Sequence, residues 1–358
     1  MNKCTANGRP KLKGQAIAAA MSLAFVSTTA LSADSLEMTS SFGKNLPILG
    51  TAATDFVEKI NSISTDVEFE HFDPGKLVPT LEALDAISNG SVDSGFSTSG
   101  YWQGKITAAS LFAAVPFGPE ASEFLGWILY DDGADLWQEM YDQAGYDVVA
   151  TPCGVIAPET SGWFKNEING VEDLKGLNMR FFGLGAEVMQ KLGVSTSLLA
   201  GGDIFPALER GAIDATEFSM PRIDARLGFH KITKFNYFPG WHQPSTLFEL
   251  LINKDVYEEL SDIAKNQIKI ACLANITTNL AEGEATNFDA MVDNVENNGV
   301  TIKQWDGEML DLFQSTWNEV ALEMAAKDEF FAKVWADLSE YREGYKTWST
   351  NIYLPRTR

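Results

Sequence analysis

The sequence predicts an α/β protein built from two similar lobes. Strand and helix patterns alternate as β-α-β-α-β between Leu36 and Ser97, the signature of a parallel sheet covered by helices. The same plan returns between Leu177 and Phe218. The two passages also echo each other. Pro79-Thr80-Leu81-Glu82 leads through Gly90-Ser91-Val92-Asp93 into a strand, as Pro206-Ala207-Leu208-Glu209 leads through Gly211-Ala212-Ile213-Asp214 into another. With 358 residues, 45% of them apolar, the chain can fill two cores.

Leu36–Ser40 opens the fold as a strand. Leu49, Ala53, Phe56, Val57, Ile60 and Ile63 recur at helical spacing. Val67, Phe69 and His71 alternate with Glu68 and Glu70, which predicts a second strand. A helix starts at Pro79 and stops at Gly90, and a strand follows over Val92–Ser97. In the second passage Leu177–Phe181 reads as a strand, Ala186–Leu192 as a helix closed by Gly193, Pro206 to Gly211 as a helix and Ile213–Phe218 as a strand. Asp255 to Asn298 holds no Pro and only Gly283, and reads as one long helical region. Ile302–Trp305 is a candidate strand, and Glu308 to Thr347 a helical tail rich in Trp, Phe and Met. No low-complexity tether is present, so strands or the long helix must join the lobes.

The first 33 residues read as a secretory leader. Lys3, Arg9, Lys11 and Lys13 precede an apolar run, Ala16 to Val26, and small residues lead to cleavage near Ala33. That run falls short of the ~20 residues needed to span a bilayer. Loss of this segment, with its four basic and no acidic side chains, moves the formal charge from −22 to −26. Such a surface repels nucleic acid and anionic lipid, and any anion site on it must be made locally positive. Cys153 and Cys272 remain. Two cysteines so far apart carry no framework signal, and they read as buried, unpaired thiols.

Open α/β sheets bind ligands beyond the carboxyl ends of their strands. Tyr101 and Glu217 lie at or just past the ends of the two echoed strands. Arg180 ends another strand, before Gly183-Leu184-Gly185 and a helix start, where a guanidinium can grip a carboxylate. A surface ion pair is the plainer reading of that arginine. Glu217 needs a cation, metal or donor if buried, and Glu159 sits in a nearby Pro- and Gly-bearing turn. Solvated surface glutamates fit the residues equally well. The cluster Tyr237-Phe238-Pro239-Gly240-Trp241-His242-Gln243 can wall a pocket or fill a core. His71, His230 and His242 have no metal-ligand spacing, so a zinc site is not expected. No nucleophile elbow, P-loop or His-Glu-x-x-His motif is present, and no catalytic residue is assigned.

Taken together, Gly75-Lys76-Leu77-Val78-Pro79, Gly162-Trp163-Phe164-Lys165, Met179-Arg180, Ala200-Gly201-Gly202-Asp203-Ile204, Pro206-Ala207-Leu208-Glu209, Ile213-Asp214-Ala215-Thr216-Glu217 and Pro239-Gly240-Trp241 resemble the extracytoplasmic solute-binding subunits of TRAP transporters, the dicarboxylate-binding-protein family. The likeness is strongest to the branch that binds 2-oxo and 2-hydroxy acids with a metal cation. It implies a two-lobed periplasmic-binding-protein fold with a long helix spanning both lobes. Lobe 1 would take residues 34–157 and lobe 2 residues 158–245. Residues 246–285 would return to lobe 1 and begin the spanning helix, and residues 286–358 would complete lobe 2 and the C-terminal helices.

The resemblance also implies a small organic carboxylate held by Arg180, with Glu159, Tyr101, Phe218 and Gln243 around it. A sodium or calcium ion would be bound by Glu217, the main-chain carbonyl of Phe218, Gln243 and Glu159. Further implications are a periplasmic location, delivery to TRAP membrane permease subunits and, as in some members, a homodimer through the C-terminal helices. In that branch an amide is usual at the position of Glu159 and a carboxylate at that of Gln243, so this chain has the two exchanged. Phe218 stands where a Trp is frequent. A C4-type dicarboxylate or zwitterion bound without metal, and a periplasmic hydrolase on the same fold, are the rival readings.

Overall fold

The computed structural model describes residues 34–354. The expected leader, 1–33, lies outside the described residues. The strands are β1 (Asp34–Ser40), β2 (Val67–Phe72), β3 (Ser94–Ser97), β4 (Val148–Ile156), β5 (Gly162–Phe164), β6 (Asn178–Arg180), β7 (Ser195–Ser197), β8 (Ala215–Thr216), β9 (Phe235–Phe238), β10 (Thr246–Asn253) and β11 (Thr301–Gln304). They form two sheets, ordered β2-β1-β3-β10-β4 and β11-β9-β5-β8-β6-β7. Each sheet is the centre of one α/β lobe.

The sheets are mixed, not purely parallel as the alternation predicts. β10 runs antiparallel to β3 and β4, and β5 antiparallel to β8 and β9. Topology explains this. β5 and β10 each enter their sheet from the other lobe, through the short crossings 157–161 and 239–245, and not through a helical crossover from a neighbouring strand. A third crossing is the helix Asp262–Glu296, capped by Ser261, whose hydroxyl accepts from the Ala264 amide at 3.0 Å. That cap splits the region expected as one helix: a short helix, Lys254–Glu259, precedes it.

The helix expected from Pro206 begins earlier, at Gly201, with Pro206 inside it. A Cβ on Gly201 would lie 2.7 Å from the Phe218 ring. The poor helix former is there so the ring can pack, which hides the start from propensity. The strand expected over Ile213–Phe218 pairs only at Ala215–Thr216. The tail forms two helices, Gly307–Lys327 and Glu329–Ile352.

The cysteines expected as unpaired thiols are joined instead. Cys153 of β4 and Cys272 of the long helix form a disulfide with Cα atoms 4.2 Å apart. Their 119-residue separation gives no sign of this; packing of the long helix along β4 creates it. Beside it the Asn275 amide donates to Ala52 O and Cys153 O, and the Asn279 amide to Ile48 O.

Candidate ligand-binding site

β6 and β8 pair in parallel with Arg180 opposite Thr216. The chain one residue beyond, at Glu217, therefore stands beside Arg180 at the carboxyl ends of both strands. The Glu217 amide donates to Arg180 O at 3.3 Å. Arg180 Nη1 donates to Glu217 Oε1 at 2.7 Å and to Glu217 O at 2.9 Å, while its Nε donates to Leu199 O at 3.2 Å. Phe218 and Phe182 place their rings 5.2 and 6.0 Å from the guanidinium carbon. Both charged residues are fully buried.

The two short crossings supply the next groups. The Glu159 amide donates to Gln243 O at 3.2 Å, tying the crossings together. Gly240 permits the approach: a Cβ there would lie 2.2 Å from Glu159 O. Gln243 donates from its amide nitrogen to Thr246 Oγ1 at 2.7 Å. His242 rests against the Phe181 ring, with Nε2 3.5 Å from Glu217 Oε2.

Lobe 1 closes the space with Tyr101, Phe42, Thr98 and Phe248. Tyr101 meets Phe182 of lobe 2 edge-on at 5.4 Å. Phe182 also seats on Gly100, where a Cβ would come 2.1 Å from the ring. The result is a small cavity of about 20 Å³ between the lobes, lined by Arg180, Glu159, Tyr101, Phe218 and Gln243 among others.

Burial pushes the Tyr101 hydroxyl up to about 12 against the pull of Arg180. Burial also holds the Glu159 carboxyl well above the usual range, reinforced by the charges of Glu217 and Asp224. Glu217 goes the other way. Burial would raise it, but Arg180, then His242 and the Phe182 amide outweigh that and hold it below the usual range.

The polar atoms left over fit a hard cation. Glu159 Oε2, Glu217 Oε2 and Gln243 Oε1 are buried with no hydrogen-bond partner. Glu159, Glu217 and His242 each offer a ligand atom within 4.8 Å of the others. Convergent, unpartnered oxygens are costly unless a cation or donor meets them.

The five residues expected to surround the ligand thus line one cavity, and the expected metal carboxylates point into the same cluster. His242 was missed. Its sequence neighbours Trp241 and Gln243 mark the segment, but no ligand spacing marks the histidine, because its partners come from other crossings and strands. Asp224, fully buried and accepting from Trp163 Nε1 at 2.8 Å, also gave no sequence signal.

Fold and site together define the class: a two-lobed binding protein closed over a small cavity rich in oxygens. Residues 40–328 match the model of the bacterial extracellular solute-binding protein family 7, DctP, and the chain belongs to that family. It is 33% identical over 312 residues to the monocarboxylate 2-oxoacid-binding periplasmic protein of Nostoc sp. (strain PCC 7120), covering 87% of this chain and 85% of that one. Among solved structures it is similar to a TRAP transporter solute-binding protein from Bordetella bronchiseptica, described as a mixed-occupancy dimer with calcium and picolinate in one site. The TM-score is 0.86 at 29% identity, over 89% of this chain and 95% of that one. A TRAP periplasmic solute-binding protein from Pseudoalteromonas atlantica, with bound sodium and pyruvate, gives 0.84 at 30% identity over 89% and 97%.

Proposed function

We propose that this chain captures a small 2-oxo or 2-hydroxy monocarboxylate together with a sodium or calcium ion and delivers it to TRAP permease subunits. One observation carries the reading: a buried arginine shares the lining of one small cavity between the lobes with Glu159 and Gln243, and unpartnered oxygens of Glu159, Gln243 and the adjoining Glu217 are buried there. Arg180 binds the ligand carboxylate. Glu217, Glu159 and Gln243, with the Phe218 carbonyl, hold the cation, and His242 stands beside them. The bound ion would supply the positive charge that lets two glutamates and an anion share one site.

Phe42, Tyr101, Phe182, Phe218 and Phe248 exclude water around these contacts, which strengthens them. Exchange of amide and carboxylate between positions 159 and 243 keeps both oxygens in the site. The relatives bind 2-oxoacid, pyruvate with sodium, and picolinate with calcium, which supports the ligand class. The leader-like first 33 residues support export to the periplasm and cleavage before binding. The exposed side chains of Trp348, Ile352, Tyr353 and Leu354 support a homodimer through the C-terminal helices.

The test is a thermal-shift panel of small carboxylates with calcium, with sodium and with chelator. Ligand bound only by the folded state raises the melting point by mass action. A shift for a 2-oxo or 2-hydroxy acid that needs the cation is the expected result. A shift for a C4 diacid or zwitterion that survives chelation would replace this reading with the metal-free one. Turnover of the bound acid would point to a hydrolase.

A further inference from the structure

Glu249 is a fully buried acid that the ligand site does not use. It lies on β10 next to an irregularity in the pairing with β4, between Phe248 and Glu249. Phe248 lines the cavity, whereas Glu249 enters the core of lobe 1. Its carboxylate accepts from Trp102 Nε1 at 2.9 Å and from the Tyr141 hydroxyl at 2.9 and 2.8 Å. Tyr141 is the titratable group against it, and among the described residues no cation pairs with it. A buried acid without a cation is a costly way to fill a core, and an apolar chain would fill the same space at less cost.

What the acid holds is informative. Trp102 ends the one-turn helix Ser99–Trp102, and the two residues before it, Gly100 and Tyr101, are those that meet Phe182 of lobe 2. Both rings bound by Glu249 are themselves fully buried, so they cannot swing to other partners.

We infer that Glu249 is a positioning residue for the ligand site: by gripping Trp102 and Tyr141 it fixes the turn that presents Gly100 and Tyr101 to lobe 2. The inference rests on the solute-binding function proposed above. Burial pushes the Glu249 carboxyl up to about 7, against the donors that favour its ionised form. The ionised form is the stronger acceptor, so the grip tightens as pH rises through neutrality.

The test compares the wild type with Glu249→Ala, Glu249→Gln and Trp102→Phe. Amide hydrogen exchange is followed at residues 99–102 without ligand, and pyruvate binding with calcium is measured by calorimetry at pH 6 and pH 8. Glu249→Ala should lower protection at 99–102 at least tenfold, leave β6 unchanged, and raise the dissociation constant at least tenfold. Glu249→Gln, which keeps one acceptor, should restore protection and most of the affinity. Its loss relative to wild type should be larger at pH 8 than at pH 6, a comparison that cancels the other buried acids, Asp224 among them, because they are the same in both proteins. Trp102→Phe carries the same test if Glu249→Ala does not fold. Wild-type protection at 99–102 in Glu249→Ala, or in Trp102→Phe where that variant stands in, overturns the inference. Loss of protection in a protein whose wild type binds no pyruvate supports the positioning role and overturns the ligand class instead.

Discussion

Arg180 and Glu217 stand 2.7 Å apart at the carboxyl ends of two paired strands, both sealed from solvent. A buried pair of this kind costs desolvation that only good geometry repays, and removing one partner strands the other. Arg180→Ala should therefore do two things. It should weaken carboxylate binding at least a hundredfold, about 3 kcal/mol, and it should lower unfolding stability by ~3 kcal/mol. The double variant Arg180→Ala/Glu217→Gln should regain stability but not binding. Calorimetry and urea unfolding on the three proteins check both parts, and micromolar binding by the single variant would remove Arg180 from the site.

Gly100 can be probed by a single methyl group. A Cβ 2.1 Å from the Phe182 ring cannot be accommodated while the lobes are closed. Gly100→Ala should leave the melting point of the ligand-free protein within a few degrees, abolish ligand-induced compaction in small-angle scattering, and weaken binding tenfold or more. Adding Phe182→Ala should restore compaction. If Gly100→Ala alone compacts normally, the contact is not part of closure.

Asp224 ties stability to pH. Burial pushes its carboxyl up to about 8, with Glu217 adding to the shift and Trp163 opposing it. The folded state keeps this proton where the unfolded chain has lost it, so stability falls as pH rises from about 4 to about 8, and is flat above. Asp224→Asn keeps an acceptor for Trp163 and removes the titration. It should match the wild type at pH 4.5 and exceed it by several kcal/mol at pH 8.5, by order of magnitude. Chemical unfolding at the two pH values reads this directly; equal gaps at both would mean that Asp224 is ionised throughout.

The disulfide closes a long loop between β4 and the spanning helix. Chain entropy assigns such a cross-link about 4 to 5 kcal/mol. Cys272→Ala should lose most of that while ligand affinity, measured well below the new melting point, changes less than threefold. A thiol titration of the unfolded wild type, finding no reactive cysteine among Cys153 and Cys272, confirms the bond.

Much of this arrangement was readable in the sequence where chemistry follows strand ends. Helix-Gly-strand punctuation places Arg180, Glu217 and Tyr101 at strand ends, where sheets of this type bind, but leaves surface readings of Arg180 and Glu217 open; their roles, and the places of Phe218 and Gln243, come from the family resemblance. What was hidden depends on contacts between distant segments. Cys153 and Cys272 meet only once the helix is laid on β4. His242 joins Glu159 and Glu217 only because two crossings and a strand end converge. The start of the helix at Gly201 was masked because the glycines there serve the Phe218 ring. The antiparallel course of β5 and β10 is set by how the chain changes lobes, and no local periodicity records that.

The long helix gives the two lobes unequal standing. It is bonded to lobe 1 covalently at Cys272 and through Asn275 and Asn279. Its meeting with lobe 2 is lighter, through Gly283 against Met220 and Asn287 accepting from the Arg222 amide at 2.9 Å. In mechanical terms lobe 1 and the helix would be a chassis, and lobe 2 the jaw that travels when the protein loads. A membrane partner that must tell loaded from empty would then have a fixed face to register against, and would read the signal from how far the other face has come.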